Sequence, residues 1–116
     1  MPDVLITLRD ALRAFAAERD WEQFHTPRNL AVALSVEAGE LLEHFQWMEE
    51  LASTQIDAAK RQQIGEEMAD VLLYLIRLSD KLDVDLADAA RRKLQLNAHK
   101  YPAEKVRGSS KKYTEY

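Results

Sequence analysis

Two of the most apolar stretches of the chain, LSVEAGELLEHF and GEEMADVLLYLI, each carry a pair of acids three residues apart, Glu37 with Glu40 and Glu67 with Asp70. Residues at that spacing share one face of an α-helix, so each stretch turns two carboxylates to the same side. Three and four residues either way from these acids there is no Lys or Arg. A solvated helix face usually intersperses opposite charges, whereas these acids are set among apolar neighbours. Four converging carboxylates repel one another and raise one another's pKa unless a hard cation such as Mg²⁺ lies between them. The two stretches are therefore expected to be neighbouring helices around a site that needs a cation.

Long 3.6-period runs, only three glycines and three prolines, and no alternating pattern make the chain all-α. A first helix is expected from about Asp3 to Arg19, with Val4, Leu5, Leu8, Leu12 and Phe15 as its apolar stripe; the segment DWEQFHTPRN then breaks the period. Thr26 before Pro27 is an N-cap hydroxyl ahead of a proline at the first helical position, and starts a second helix running to about Glu50. Gly39 within it either permits close helix contact or ligand approach, or is simply tolerated. A third helix is expected from about Ile56 to Leu82, with Thr54 and Asp57 as a capping pair. Asp85 caps a fourth, from Leu86 to about His99, which Pro102 ends. The 116 residues, 47% of them hydrophobic, suit one compact domain, placed at residues 1–102, with a basic tail at 103–116 expected to be mobile. The second and third helices are apolar over most of their circumference. A four-helix bundle-like monomer gives each helix one interior face, so a homodimer or homotetramer is expected.

The formal charge of −4 gives no support to a polymeric nucleic-acid partner, and the basic residues Lys105, Arg107, Lys111 and Lys112 are confined to the tail. The absence of cysteine removes disulfides and thiolate metal sites, leaving oxygen or imidazole ligands. The opening MPDVLITLRDALRAF reads as an amphipathic helix rather than a signal peptide, and no apolar run approaches the roughly 20 residues that span a membrane. A cytoplasmic location without membrane attachment is expected.

An all-oxygen site in a bundle favours Mg²⁺, with Mn²⁺ as a substitute, over iron, zinc or copper. Neither acidic stretch carries the Glu-x-x-His motif of a di-iron bundle, since His44 lies four residues after Glu40 and the third helix holds no histidine. Mg²⁺ is usually completed by substrate phosphates, which points to a nucleotide or pyrophosphate-containing substrate. The segments FHTPRNLAVALSVEAGELLEHFQW, GEEMADVLLYLIRLSDKLDVDL and KLQLNAHKYP, most of the chain, resemble the MazG-like nucleoside triphosphate pyrophosphohydrolases and, within them, the dCTP pyrophosphatase-like subgroup. The order carries the resemblance: ExxE, then ExxD on the next helix, then K-x-x-x-N-x-x-KYP. It implies an all-α fold whose subunits pair to complete the sites. It also implies Mg²⁺-dependent hydrolysis of a nucleoside triphosphate between the α and β phosphates.

By that resemblance Glu37, Glu40, Glu67 and Asp70 match metal ligands, and Lys93, Asn97, Lys100 and Tyr101 match positions that hold sugar and phosphates. Glu66 is a candidate to orient or deprotonate the attacking water. Trp21, His25 and Trp47 match positions lining a cytosine pocket, while Tyr74, one turn after Asp70, and Phe24 are further flat rings on which a base can stack. Arg28 and Asn29 open the second helix, where backbone N–H groups and a cation can meet an anion. The leading expectation is hydrolysis of dCTP or a related, including 5-modified, pyrimidine triphosphate, as a housekeeping or house-cleaning activity on the nucleotide pool. The rivals are the same chemistry on another or noncanonical nucleotide, and a non-catalytic helical interaction module with a structural cation.

Overall fold

The computed structural model describes residues 3–48 and 55–108. These residues form helices α1 (Val4–Glu18), α2 (Pro27–Glu43), α3 (Ala58–Lys81), α4 (Leu86–Lys100) and α5 (Ala103–Val106), with a 3₁₀ turn at Glu22–Phe24. They contain no strand, so the fold is all-α. Packing divides the chain into two compact units, residues 1–84 and 85–116.

The helix starts follow the expected capping chemistry. The carboxylates of Asp3, Asp57 and Asp85 accept the N–H of Leu5, Lys60 and Asp88 at 2.9, 2.8 and 3.0 Å, and the Thr26 hydroxyl accepts that of Asn29 at 3.2 Å. Each relieves one of the orphan donors of a first turn. The ends of α1 and α3 share a second device. The Trp21 N–H reaches back to the Ala16 carbonyl and the Asp20 N–H to that of Ala17. Val84 and Asp83 do the same to Ser79 and Asp80. Asp20 and Asp83 adopt left-handed φ values of 53° and 55°, which aspartate tolerates better than most residues and which turn the chain sharply out of the helix.

Within the first unit, α3 packs against α2 most extensively and against α1 as well. His44 meets Lys60, whereas Glu37 meets Glu67 and Asp70, so numbers fall along α2 as they rise along α3 and the two helices are antiparallel. Leu30, Ile64, Ile76 and Ala16 are the buried apolar residues among those described. The guanidinium of Arg13 joins α1 to α3 by a bidentate bond to Asp80, at 2.6 and 2.8 Å. Four expectations need correction or fall outside the view. α2 stops at Glu43, not near Glu50, because the hydrogen bonds of His44, Phe45 and Met48 tighten to the i−3 carbonyls and close the helix. The tie from His44 Nδ1 to Lys60 Nζ, 2.8 Å, then holds that turn against the start of α3. α3 begins at Ala58 behind Asp57; Thr54, the other member of the expected capping pair, lies outside the described residues, as do Glu49, Glu50 and the 52–54 connection. Ala103–Val106, at the start of the expected tail, form a helical turn, and residues 109–116 are not among those described. A Cβ on Gly39 would meet nothing within 4 Å, so no close helix contact is made at Gly39 among the described residues.

Two substitutions measure what holds this frame. Ile76→Ala, at a fully buried position, should cost about 2–5 kcal/mol in urea unfolding, and Asp57→Ala about 1 kcal/mol through the lost cap. Equal losses from the two would contradict the core assigned here.

Candidate functional site

The carboxylate cluster lies where α2 and α3 pack. Glu37, Glu67 and Asp70 each offer an oxygen, all within 4.8 Å of one another. Oε2 of Glu37 and Oε2 of Glu67 are buried and accept no hydrogen bond from the described residues. A buried carboxylate oxygen without a partner is costly, and two side by side repel as well. The Glu37 carboxyl is accordingly pushed up to about 7, chiefly by burial, then by the adjoining Glu40 carboxyl, and further by Asp70 and Glu67. All four expected ligands are thus in one neighbourhood, with Glu40 acting against Glu37 from the following helical turn. Donor set, orphaned oxygens and mutual repulsion all fit a hard divalent cation.

Asp70 also borders a cavity of about 370 Å³, within the ~300–1,000 Å³ range of small-molecule sites. Its walls come from Leu8, Leu12 and Phe15 of α1, Trp21 and His25 of the α1–α2 link, and Leu73, Tyr74 and Arg77 of α3. The left-handed exit of α1 at Asp20 delivers Trp21 to this wall, and the Thr26 cap with the Asn29 amide on the Phe24 carbonyl (3.0 Å) fixes the backbone on either side of His25. The rings meet edge to face, Phe15 with Trp21 at 5.6 Å and Trp21 with His25 at 6.2 Å between centroids. Of the rings expected in a base pocket, Trp21, His25 and Tyr74 are brought together. Phe24 does not line the cavity, and Trp47, in the turn after α2, is 88% exposed.

The remaining expected residues are placed as follows. Arg28 is exposed in the first turn of α2. Glu66 lines a separate open depression on α3 with Arg61, Gln62 and Ala69. In the second unit Lys93, Asn97 and Lys100 lie on α4 at spacings of four and three, hence on one face, and Tyr101 is its C-cap.

Sequence reasoning missed an ionic network behind the cavity. Arg77 is 4% exposed, and its guanidinium bonds to the Glu22 carboxylate, lies 3.5 Å from Asp80, and donates Nε–H to His25 Nδ1 at 3.0 Å. Glu22 is held in turn by Lys81, and that bond, followed by the one from Arg77, keeps the Glu22 carboxyl below its ordinary value. Arg13 does the same for Asp80. The available signal was an arginine inside the apolar run LLYLIRL, seven residues after Asp70 and so on the same face of the helix.

Comparison with known proteins bears on this geometry. Residues 32–116 match the model of the MazG-like family. The chain is 48% identical to human dCTP pyrophosphatase 1 over 114 residues, covering 94% of this chain and 67% of that protein. It is 46% identical to the Bos taurus protein of the same name, covering 94% and 68%. A crystal structure of a pyrophosphatase from Archaeoglobus fulgidus is similar with a TM-score of 0.75 and 39% identity, covering 88% of this chain and 95% of that one. Similarity of this extent, in sequence and in fold, places the chain in the MazG-like family.

Proposed function

We propose that the chain hydrolyses a pyrimidine deoxynucleoside triphosphate, dCTP or a close relative, to the monophosphate and pyrophosphate. The observation that carries this reading is the double role of Asp70, which belongs to the carboxylate cluster and also borders the ring-lined cavity. A base held among Trp21, His25 and Tyr74 thereby has its phosphates directed toward the acids. The relatives named dCTP pyrophosphatase 1, 46–48% identical, support the same reaction and substrate. A cytoplasmic, nucleotide-pool house-cleaning role fits this reading, and no helix among the described residues is long and apolar enough to cross a membrane.

In the reaction, water attacks the α phosphorus, the bond from it to the α–β bridging oxygen breaks, and pyrophosphate leaves with that oxygen. Glu37, Glu40, Glu67 and Asp70 would hold Mg²⁺, or Mn²⁺ in its place. When bound, such an ion neutralises phosphate charge and makes a coordinated water more acidic. The aromatic wall holds and orients the base and excludes water from it. Lys93, Asn97, Lys100 and Tyr101 supply cationic and polar contacts to phosphates and sugar, and Arg28 a further cation. Glu66 is the candidate for orienting the attacking water, from a face of α3 next to that of the cluster.

A homodimer or homotetramer completes the proposal. Val32 and Val36 on α2 and Met68 and Leu72 on α3 form two stripes at four-residue spacing, and Val32, Val36 and Met68 are each more than half exposed. A second copy covering this face would remove that apolar surface from water. Light scattering should report a multiple of 13.3 kDa for the unmodified protein and a lower mass for Val36→Asp. A monomer at micromolar concentration would refute the assembly.

Product analysis with purified protein and Mg²⁺ against a panel of nucleoside triphosphates tests the reaction. Monophosphate plus pyrophosphate, fastest from dCTP or 5-substituted dCTP, is expected. Diphosphate plus phosphate, or no turnover, would overturn it. Asp70→Asn should lower kcat/KM by more than the ~10–100-fold that outer-shell partners of a metal site cost, with no loss of thermal stability in EDTA. Loss of folding without loss of intrinsic turnover would instead mark a structural cation site. Glu66→Gln should lower kcat by about 100-fold or more with KM little changed, and an unchanged kcat removes Glu66 from the water-orienting role.

A further inference from the structure

Arg77 has a task that charge balance alone does not explain. A cation this deeply buried needs anionic partners, and Glu22 and Asp80 provide them. Its remaining directed bond goes elsewhere, from Nε–H to Nδ1 of His25 at 3.0 Å. Guanidinium carries only donors and does not lose its proton in proteins, so it can bond only to an unprotonated ring nitrogen. Nδ1 of His25 is therefore the acceptor, and the proton of the neutral ring sits on Nε2. Burial and then the Arg77 charge, outweighing Glu22 and aided by Lys81, hold the His25 pKa below its ordinary value, which keeps the ring neutral.

His25 lines the cavity, and most of its neighbours there, Leu8, Leu12, Phe15 and Leu73 among them, offer a ligand no polar group. With Nδ1 engaged, the polar group left on His25 for a ligand is a single donor. We propose that Arg77 is a positioning residue for base recognition: it locks His25 as an Nε2–H donor, so the cavity takes a base edge presenting a ring-nitrogen or carbonyl acceptor. This deepens, and rests on, the reading of the cavity as a base site. Cytosine offers such acceptors at N3 and O2. The lock is braced from both sides, because Lys81 holds Glu22 and the bidentate bond from Arg13 holds Asp80. The guanidinium thus has little freedom to swing from the imidazole.

Two measurements test this. In protein with ¹⁵N-labelled histidine, long-range ¹H–¹⁵N correlation at neutral pH should show Nδ1 of His25 unprotonated and Nε2 protonated, and the Nε2 resonance should move when dCMP is added. A proton on Nδ1, or an Nε2 resonance indifferent to saturating dCMP, overturns the proposal, and this reading needs no variant to fold. The second is a double-mutant cycle on dCTP hydrolysis. Arg77→Lys keeps a cation for Glu22 and Asp80 but loses the planar fork, and should raise KM about tenfold with kcat within about twofold. In a His25→Gln background the same change should alter KM by less than about twofold, because its effect passes through the imidazole. Equal effects in both backgrounds would leave Arg77 a purely structural residue and sink the inference. Failure of the unmodified protein to turn over any nucleotide would count against the proposed reaction, whereas normal turnover with an additive cycle counts against Arg77 alone.

Discussion

The structure depends on a repulsion left unresolved by the polypeptide. Along the packed seam of α2 and α3, three carboxylates come within 4.8 Å, and among the described residues two of their oxygens are buried without a hydrogen-bond donor. Elsewhere in the first unit the chain pairs its buried charges closely, as at Arg77 with Glu22 and Arg13 with Asp80. The contrast is informative because the same helix, α3, carries both arrangements two turns apart. A fold able to satisfy a buried arginine on three sides leaves these acids side by side, an arrangement that could hold a cation from solution.

Much of this was legible in the sequence because it depends on local periodicity. Acids three apart within apolar runs specify a shared helical face whatever the tertiary structure, and the absence of Lys or Arg one turn away specifies the missing compensation. The caps at Thr26, Asp57 and Asp85 were readable for the same reason: capping is settled within four residues of chain. The end of α2 was not. Residues 44–47, His-Phe-Gln-Trp, contain neither glycine nor proline, and the tightening that stops the helix is accompanied by a contact to Lys60, sixteen residues on from His44. Propensity cannot report a boundary that tertiary contact helps to set.

The network behind the cavity was illegible for a related reason. His25 and Arg77 are 52 residues apart, Glu22 and Arg77 are 55, and neither pairing has a local signature. What the sequence did contain was an arginine on the helical face shared with Asp70 and Tyr74, easily read as the polar edge of an amphipathic helix. The use of each aromatic residue was likewise not legible. Flat rings suited to stacking on a base are also suited to packing or to an interface, and only the chain path separates these uses. The left-handed turn at Asp20 sends Trp21 inward to Phe15 and His25, whereas the turn closing α2 leaves Trp47 in solvent within this chain.

The placement of these groups along α3 makes that helix a ruler. Asp70, Tyr74 and Arg77 succeed one another on one face over two turns, a rise of about 10 Å from the acid to the guanidinium. Acid cluster, Tyr74 ring and the arginine behind His25 are therefore spaced by backbone hydrogen bonds, the stiffest feature the chain possesses, rather than by loops. Reach and orientation are coupled in such a device. Inserting one residue between Asp70 and Arg77 would lengthen it by only ~1.5 Å but rotate one end against the other by about 100°, carrying Arg77 away from Glu22 and His25 together. In the proposed reaction, selectivity for the base and placement of the phosphates would thus be two readings of a single helical register, which ties the ionic network to the carboxylates although no bond joins Arg77 to Asp70.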